Sequence, residues 1–263
     1  MQQSASRACV LTIAGSDSGG ASGLQADLRT FAAFGLHGLS VVTAVTAQNL
    51  QSVSAVHALP ARQVAAQLQA LLDGFDIRAV KIGMLGSAAV VDAVADVLER
   101  ERSRLRPVVL DPVLVSTSGA PLLTRPARAR LRTRLLPLAD LLTPNLPEAE
   151  ALLGISLADA DAREAAARAL LALGPRAVLL KGGHADGEKV YDRFVPAKGP
   201  SRVFAHTRLP IAARGTGCTL ASAIAAGLAN GQALPDAVQA AERYLQRSLR
   251  RAYRVGGQGR HVL

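Results

Sequence analysis

Six short apolar runs alternate along this chain with alanine- and leucine-rich stretches of helical period. The runs cover 9–14, 39–46, 79–82, 108–111, 141–143 and 177–180, and each closes at a glycine, aspartate, proline or polar residue. The helical patterns cover 22–34, 61–72, 88–100, 125–136, 146–153 and 161–173. Strands that are apolar throughout fit a parallel sheet covered on both faces, not a sheet with one wet face. Their alternation with helices predicts a doubly wound α/β fold with a mostly parallel sheet. Residues 189–195 and 202–206 read as two antiparallel strands forming a small β flap, and 216–229 and 235–253 as two closing helices. No repeat, Gly/Ser linker or charged tail divides the chain, so residues 1–263 read as one domain.

Composition removes several classes. Apolar residues make up 49% and charged residues 19%, which excludes a disordered chain. Aromatics are 3%, too few for base-stacking platforms. Cys9 and Cys218 are the only cysteines, which rules out a disulfide framework or a cysteine-based zinc site. No segment approaches the ~20 apolar residues of a membrane span, and the expectation is a soluble cytoplasmic protein without a membrane partner. The formal charge is +10. Its arginines gather at 99–106, 125–134 and 243–254, spaced by alanine and leucine. That spacing reads as solvated helix faces, and no nucleic-acid partner is expected.

Ligands in such a sheet sit beyond the carboxyl ends of the strands. The first run ends in a glycine-rich loop, Gly15 to Gly23, with Asp27 on the first turns of the next helix. The loop lacks both the Gly-Lys-Ser/Thr ending of a P-loop and dinucleotide spacing, and a plain tight turn fits it equally well. Gln48 closes the second run with a planar donor–acceptor pair, suited to a heteroaromatic edge or to a loop backbone. Met84 follows the third run, where it can pack on a flat ring or in the core. Asp111 and Val113 follow the fourth, and Asp111 stands where a magnesium ion or a phosphate-bound water would sit. Asn145 and Glu148 lie three apart at a helix start, as shared ligands or as a capping box. Lys81 and Lys181 are two of only four lysines, and both fall at strand ends.

The sharpest element is Arg214-Gly215-Thr216-Gly217-Cys218-Thr219, leading into a long apolar helix. Two glycines there expose several backbone N–H groups at the positive helix end, an anion hole for a phosphoryl group. Cys218 sits in the first turn, where the helix dipole is expected to lower its pKa and favour thiolate.

Taken in order, AGSDSGGASGLQAD (14–27), TAQN (46–49), KIGML (81–85), LDPV (110–113), TPNLPEAE (143–150), KGGH (181–184) and GTGCTLASA (215–223) resemble the hydroxymethylpyrimidine/phosphomethylpyrimidine kinases of thiamine synthesis. The resemblance covers about 10–253 and places the chain in the ribokinase-like superfamily. It implies a three-layer α/β/α fold, a homodimer, and transfer of the ATP γ-phosphoryl group to 4-amino-5-hydroxymethyl-2-methylpyrimidine and then to its monophosphate. By resemblance, Gly15, Asp27, Gln48, Met84 and Val113 line the pyrimidine pocket. Gly215, Thr216, Gly217 and Cys218 form the anion hole, with Cys218 standing where most of the superfamily has an Asp base. Asp111, Asn145 and Glu148 organise magnesium, largely through waters. Lys181, with Thr216 and Gly217, lies near the nucleotide phosphates.

Three departures stand out. Ser22 interrupts the glycine loop, Leu50 replaces a small polar residue after Asn49, and Ala212-Ala213-Arg214 replaces the usual Asn-Thr-His. Arg214 can bind a phosphate or face solvent. The nearest rival reading is a pyridoxal/pyridoxine kinase of the same superfamily, against which Gln48 favours an aminopyrimidine. A non-catalytic ligand-binding protein on the same scaffold has only the positive charge in its favour.

Overall fold

The computed structural model describes residues 7–114, 122–157, 159–255 and 260–263. Nine strands form one sheet: β1 (Cys9–Asp17), β2 (His37–Gln48), β3 (Val53–Ala58), β4 (Ile77–Ile82), β5 (Val108–Leu110), β6 (Leu141–Leu142), β7 (Ala177–Leu180), β8 (Lys189–Pro196) and β9 (Arg202–Thr207). Their spatial order is β3-β2-β1-β4-β5-β6-β7-β8-β9. The stretch from β2 to β7 is parallel, and the outer strands β3, β8 and β9 pair antiparallel. The chain runs outward from β1 to β2 and then returns to place β4 on the other side of β1. That reversal opens a crevice at the carboxyl end of the sheet.

Alternate strand residues face opposite layers, as the pleat requires. Leu11, Val80, Val108, Leu142 and Val178 point into one core. That core is closed by α2 (Ala61–Gly74), α3 (Ala88–Arg100), α4 (Arg125–Arg130), α5 (Leu146–Leu153) and α6 (Ala160–Leu171). Val10, Ala79, Val109, Leu141 and Leu179 point the other way, against α1 (Gly23–Ala33), α7 (Thr216–Ala229) and α8 (Leu234–Arg250). The result is the three-layer arrangement expected from the apolar runs. α7 is lined with alanines and glycine, whose small side chains let it lie close to the sheet and to α8.

Three local differences have physical reasons. β3 was not expected, because its sequence VSAVHA leaves four consecutive residues exposed and is held by main-chain pairing to β2. Residues 189–195 and 202–206, expected as a flap, are hydrogen-bonded into the central sheet: β8 pairs with β7 over four residues and β9 with β8 over six. Val190, Phe194 and Val195 are buried there, which anchors the pair. The helix expected over 125–136 is regular only to Arg130 and continues as a π-helical turn, Leu131–Leu135, and a 3₁₀ turn, Leu136–Leu138. Pro137 accounts for the tightened end.

The arginines of 125–134 and 243–250 lie on helices, as their spacing implies, whereas Arg102, Arg104 and Arg106 follow the end of α3 outside any helix. Arg134 bridges Asp92, Asp96 and Glu99 of α3 at 2.7–3.2 Å.

Candidate active site

The carboxyl ends of β1, β2, β4, β5, β6 and β7 and the start of α7 enclose a cavity of about 750 Å³. Gly15, Gln48, Met84, Asp111, Val113, Asn145, Glu148, Lys181, Gly215, Thr216, Gly217 and Cys218 all line it. Residues from seven separate stretches of sequence therefore meet at one place.

Asp27 is the exception. It was expected in the wall of the pocket, but it has no exposed surface and does not line the cavity. Its carboxylate accepts from Thr12 Oγ1 at 2.6 Å, Ser222 Oγ at 2.7 Å and Lys81 Nζ at 2.8 Å. A carboxylate so saturated cannot also read a ligand. It supports Lys81, which does line the cavity.

The ring-sized end of the cavity is built on the glycine loop. Asp17 staples that loop, accepting from the N–H groups of Gly19 (2.8 Å), Ala21 (3.2 Å) and Ser22 (2.8 Å) and from Ser22 Oγ (2.8 Å). This engagement explains how Ser22 is accommodated where it interrupts the glycine loop. Gly15 lies close to Met84: a Cβ there would stand 3.1 Å from Met84 Sδ, so a larger residue would push that side chain aside. Thr43 Oγ1 donates to the Met84 carbonyl at 2.6 Å and fixes that residue. The Gln48 amide makes only long contacts, 3.4 Å to Ser22 Oγ and 3.4 Å to Thr46 Oγ1, so its edge remains available. Leu50 packs with Ala21 and Val262 in a small apolar cluster that locks the loop in place. Hence a leucine there is a structural choice.

The phosphoryl end is the start of α7. Gly215 takes φ +79°, and a Cβ would lie 2.0 Å from the Ala21 carbonyl, so no other residue fits. No side chain caps this helix, which leaves its first N–H groups free for an anion. On the far side, a Cβ at Gly217 would come within 3.3 Å of Lys181 Nζ. Cys218 opens partly onto the cavity. The expectation of a lowered pKa is overturned. Burial at the cavity floor pushes the thiol up to about 11, Asp27 and Asp111 add to this, and Lys81 opposes it only in part. Desolvation outweighs the helix dipole here.

Lys181 Nζ bonds Asp111 at 2.8 Å, and Thr143 Oγ1 lies 3.2 Å from the same carboxylate. The Lys181 side chain is only partly exposed, yet Asp111 and Glu148 hold its pKa above the usual range against desolvation. Asn145 and Glu148 form a full capping box: Asn145 Oδ1 accepts from Glu148 N at 2.9 Å, and Glu148 Oε2 from Asn145 N at 2.8 Å. Burial pushes Glu148 up to about 7; Lys181 counters this and Asp111 adds to it. Two carboxylates sharing one ammonium at the cavity wall fit a hydrated divalent cation. Direct ligation by Asn145 Oδ1 is less suited, because that oxygen already serves the cap.

Sequence reasoning left several residues without a role. Lys81 was noticed only for its place. Asp17 was given no reading of its own. Arg214 does not face solvent: it is 2% exposed and lines the cavity. Asp192, His206 and Glu242 converge within 4.8 Å of one another from β8, β9 and α8, with no local spacing that could have revealed them.

A sequence profile described as phosphomethylpyrimidine kinase matches residues 17–262. The hydroxymethylpyrimidine/phosphomethylpyrimidine kinase of Streptomyces coelicolor is 46% identical over 254 residues, covering 94% of this chain and 91% of that protein. The crystal structure of phosphomethylpyrimidine kinase from Clostridium difficile is similar at a TM-score of 0.82 and 40% identity, covering 92% of this chain and 99% of that one. Pyridoxal kinase from Staphylococcus aureus in complex with ADP is similar at a TM-score of 0.87 and 31% identity, covering 98% and 93%.

Proposed function

The chain belongs to the phosphomethylpyrimidine kinase family and is a phosphotransferase of ribokinase-like fold, and from that premise we propose a two-step reaction. It transfers the γ-phosphoryl group of ATP to 4-amino-5-hydroxymethyl-2-methylpyrimidine, and then a second phosphoryl group to the resulting monophosphate, in thiamine biosynthesis. The observation that carries this reading is the uncapped start of α7. It stands between a ring-sized pocket at Gly15, Gln48 and Met84 and the Lys181–Asp111 pair.

Phosphoryl transfer through a loose transition state calls for position and charge neutralisation more than covalent help. Gln48 reads the amino-pyrimidine edge, Met84 covers the ring face, and Gly15 and Val113 complete the pocket. The N–H groups of Gly215–Cys218 hold the transferring group, and Lys181 the nucleotide phosphates. Asp111 and Glu148 would hold magnesium, which would supply further positive charge when bound. Cys218 orients the attacking hydroxyl as a neutral thiol, because its raised pKa leaves little thiolate before reaction. The new P–O bond forms as the bond from the γ-phosphorus to ADP breaks, and the hydroxyl proton departs late, to an oxygen of the transferred phosphoryl group.

We place the reaction in the cytoplasm, where ATP is made available. The homodimer belongs to the same proposal, and exposed Val45 and Val56 on adjacent strands β2 and β3 offer apolar surface for it.

The test follows ADP release with magnesium and ATP, offering the alcohol, its monophosphate and pyridoxal separately. Turnover of both pyrimidines is expected, with Cys218→Ala slower by roughly ten- to hundredfold, the effect of losing an orienting contact. Turnover of pyridoxal alone would replace the pyrimidine substrate and keep the phosphoryl chemistry.

A further inference from the structure

Arg214 is nearly fully buried, yet among the described residues neither Nε nor Nη2 meets a hydrogen-bond partner. Its backbone is fixed. Arg214 N–H donates to the His261 carbonyl at 3.0 Å, and His261 N–H donates to the Ala212 carbonyl at 3.0 Å. The next residue, Val262, packs against Leu50 and Ala21. The side chain thus lines the cavity from a segment held at both edges.

Its electrostatic surroundings are unfavourable for a lone cation. Burial lowers its pKa first, and Arg260, which lines the same cavity, lowers it further. Asp17 is the carboxylate that offsets this. Both Asp17 oxygens, however, already accept from Gly19, Ala21 and Ser22, and Arg214 bonds neither. Two guanidinium groups beside one cavity, one of them buried with free donors, make a receptor for a compact dianion.

Position selects which dianion. Gly215, next to Arg214, lies against the Ala21–Ser22 backbone of the ring pocket. Lys181 and Asp111 stand beside Gly217 on the other side of the helix start. The nucleotide phosphates therefore have their own cation, and Arg214 belongs to the acceptor side. We propose that Arg214, assisted by Arg260, binds the phosphoryl group of the phosphorylated pyrimidine and makes the monophosphate the preferred acceptor over the alcohol. This rests on the kinase reading above. It also gives the Ala212–Arg214 departure a use: the arginine is a specificity residue for the second transfer.

The experiment compares wild type, Arg214→Gln, Arg214→Lys and Arg260→Gln. In Arg214→Gln the ratio of kcat/KM for the monophosphate over that for the alcohol falls roughly ten- to hundredfold, the worth of charged hydrogen bonds. Arg214→Lys recovers part of that ratio, and Arg260→Gln loses less than Arg214→Gln. A readout without turnover accompanies it: the rise in Tm produced by inorganic phosphate, without ATP, shrinks in Arg214→Gln. An unchanged ratio overturns the proposal, as does a raised KM for ATP with the ratio preserved, which would assign the guanidinium to the nucleotide. If neither pyrimidine is turned over, the kinase reading fails by itself. The phosphate-induced shift, present in wild type and reduced in Arg214→Gln, then still decides whether an anion site exists.

Discussion

Lys81 Nζ lies 2.8 Å from Asp27 Oδ2, and neither side chain has any solvent exposure. The pair links α1 to β4 directly beneath the cavity floor. Burial opposes the ammonium, but Asp27 first, then Cys218 and Asp111, hold its pKa above the usual range. The pair is thus a fixed, overall neutral ion pair under the reacting groups, with Thr12 and Ser222 completing the Asp27 shell.

Breaking one half of this pair strands a charge in the core. Lys81→Met is expected to cost about 3–5 kcal/mol in urea denaturation, because Asp27 loses its counter-charge. Lys81→Met combined with Asp27→Asn should recover most of that loss, since Asn accepts from one of the Thr12 and Ser222 hydroxyls and donates an N–H to the oxygen of the other. A double variant as unstable as the single one would show that packing of the lysine stem, not charge, dominates the site.

How far the sequence disclosed this arrangement depends on the range of each interaction. The parallel strands were legible because each is apolar on both sides, and α7 because two glycines precede a long apolar helix. The glycine loop, Gln48, Met84 and the Gly215–Cys218 turn sit at strand or helix ends, so local patterning places them in one crevice. Asp27 was misplaced into the pocket wall because its partners Lys81 and Ser222 are 54 and 195 residues away. No local pattern announces such a saturated carboxylate. The direction of the Cys218 shift failed for a related reason. The helix dipole is visible in sequence, whereas the desolvation that overrides it requires the assembled cavity. β3 was missed because an exposed edge strand has no apolar signature.

The neutral state of Cys218 is open to direct chemistry. In a Cys9→Ser background, which leaves one thiol, alkylation by iodoacetamide at pH 7.5 is expected to be at least about tenfold slower than for a free cysteine. The rate should still rise with pH above 10, as the thiol is pushed up to about 11 by burial. A plateau already reached at pH 8 would establish a thiolate at neutral pH and return Cys218 to the role of a preformed base.

Glu148 combines a helix cap with a charge facing the cavity, and the two can be separated. Glu148→Gln keeps a side-chain oxygen for the Asn145 N–H, so the far-UV spectrum should be preserved. The magnesium concentration for half-maximal ADP release should rise roughly tenfold or more, the usual effect on metal affinity of altering a group that acts through bound water. An unchanged magnesium requirement would leave Glu148 as a cap alone and move the cation to Asp111.

The Asp192–His206–Glu242 cluster gives the fold a pH dependence of its own. Glu242 is pushed up to about 9, first by burial and then by Asp192. Burial likewise raises Asp192, while it lowers His206, whose Nδ1 lies 4.0 Å from Glu242 Oε2. From its ordinary value of 4.5 up to about 9, the folded chain retains the Glu242 proton and the unfolded chain has released it. The unfolded state binds fewer protons across that window, so stability falls as pH rises through it. Glu242→Gln carries no such proton. Its Tm should therefore decline less than that of wild type between pH 6 and 9 and lie above it at the alkaline end. Parallel Tm profiles for the two proteins would mean that Glu242 is ionised in the native state, with its charge balanced by a group such as protonated His206.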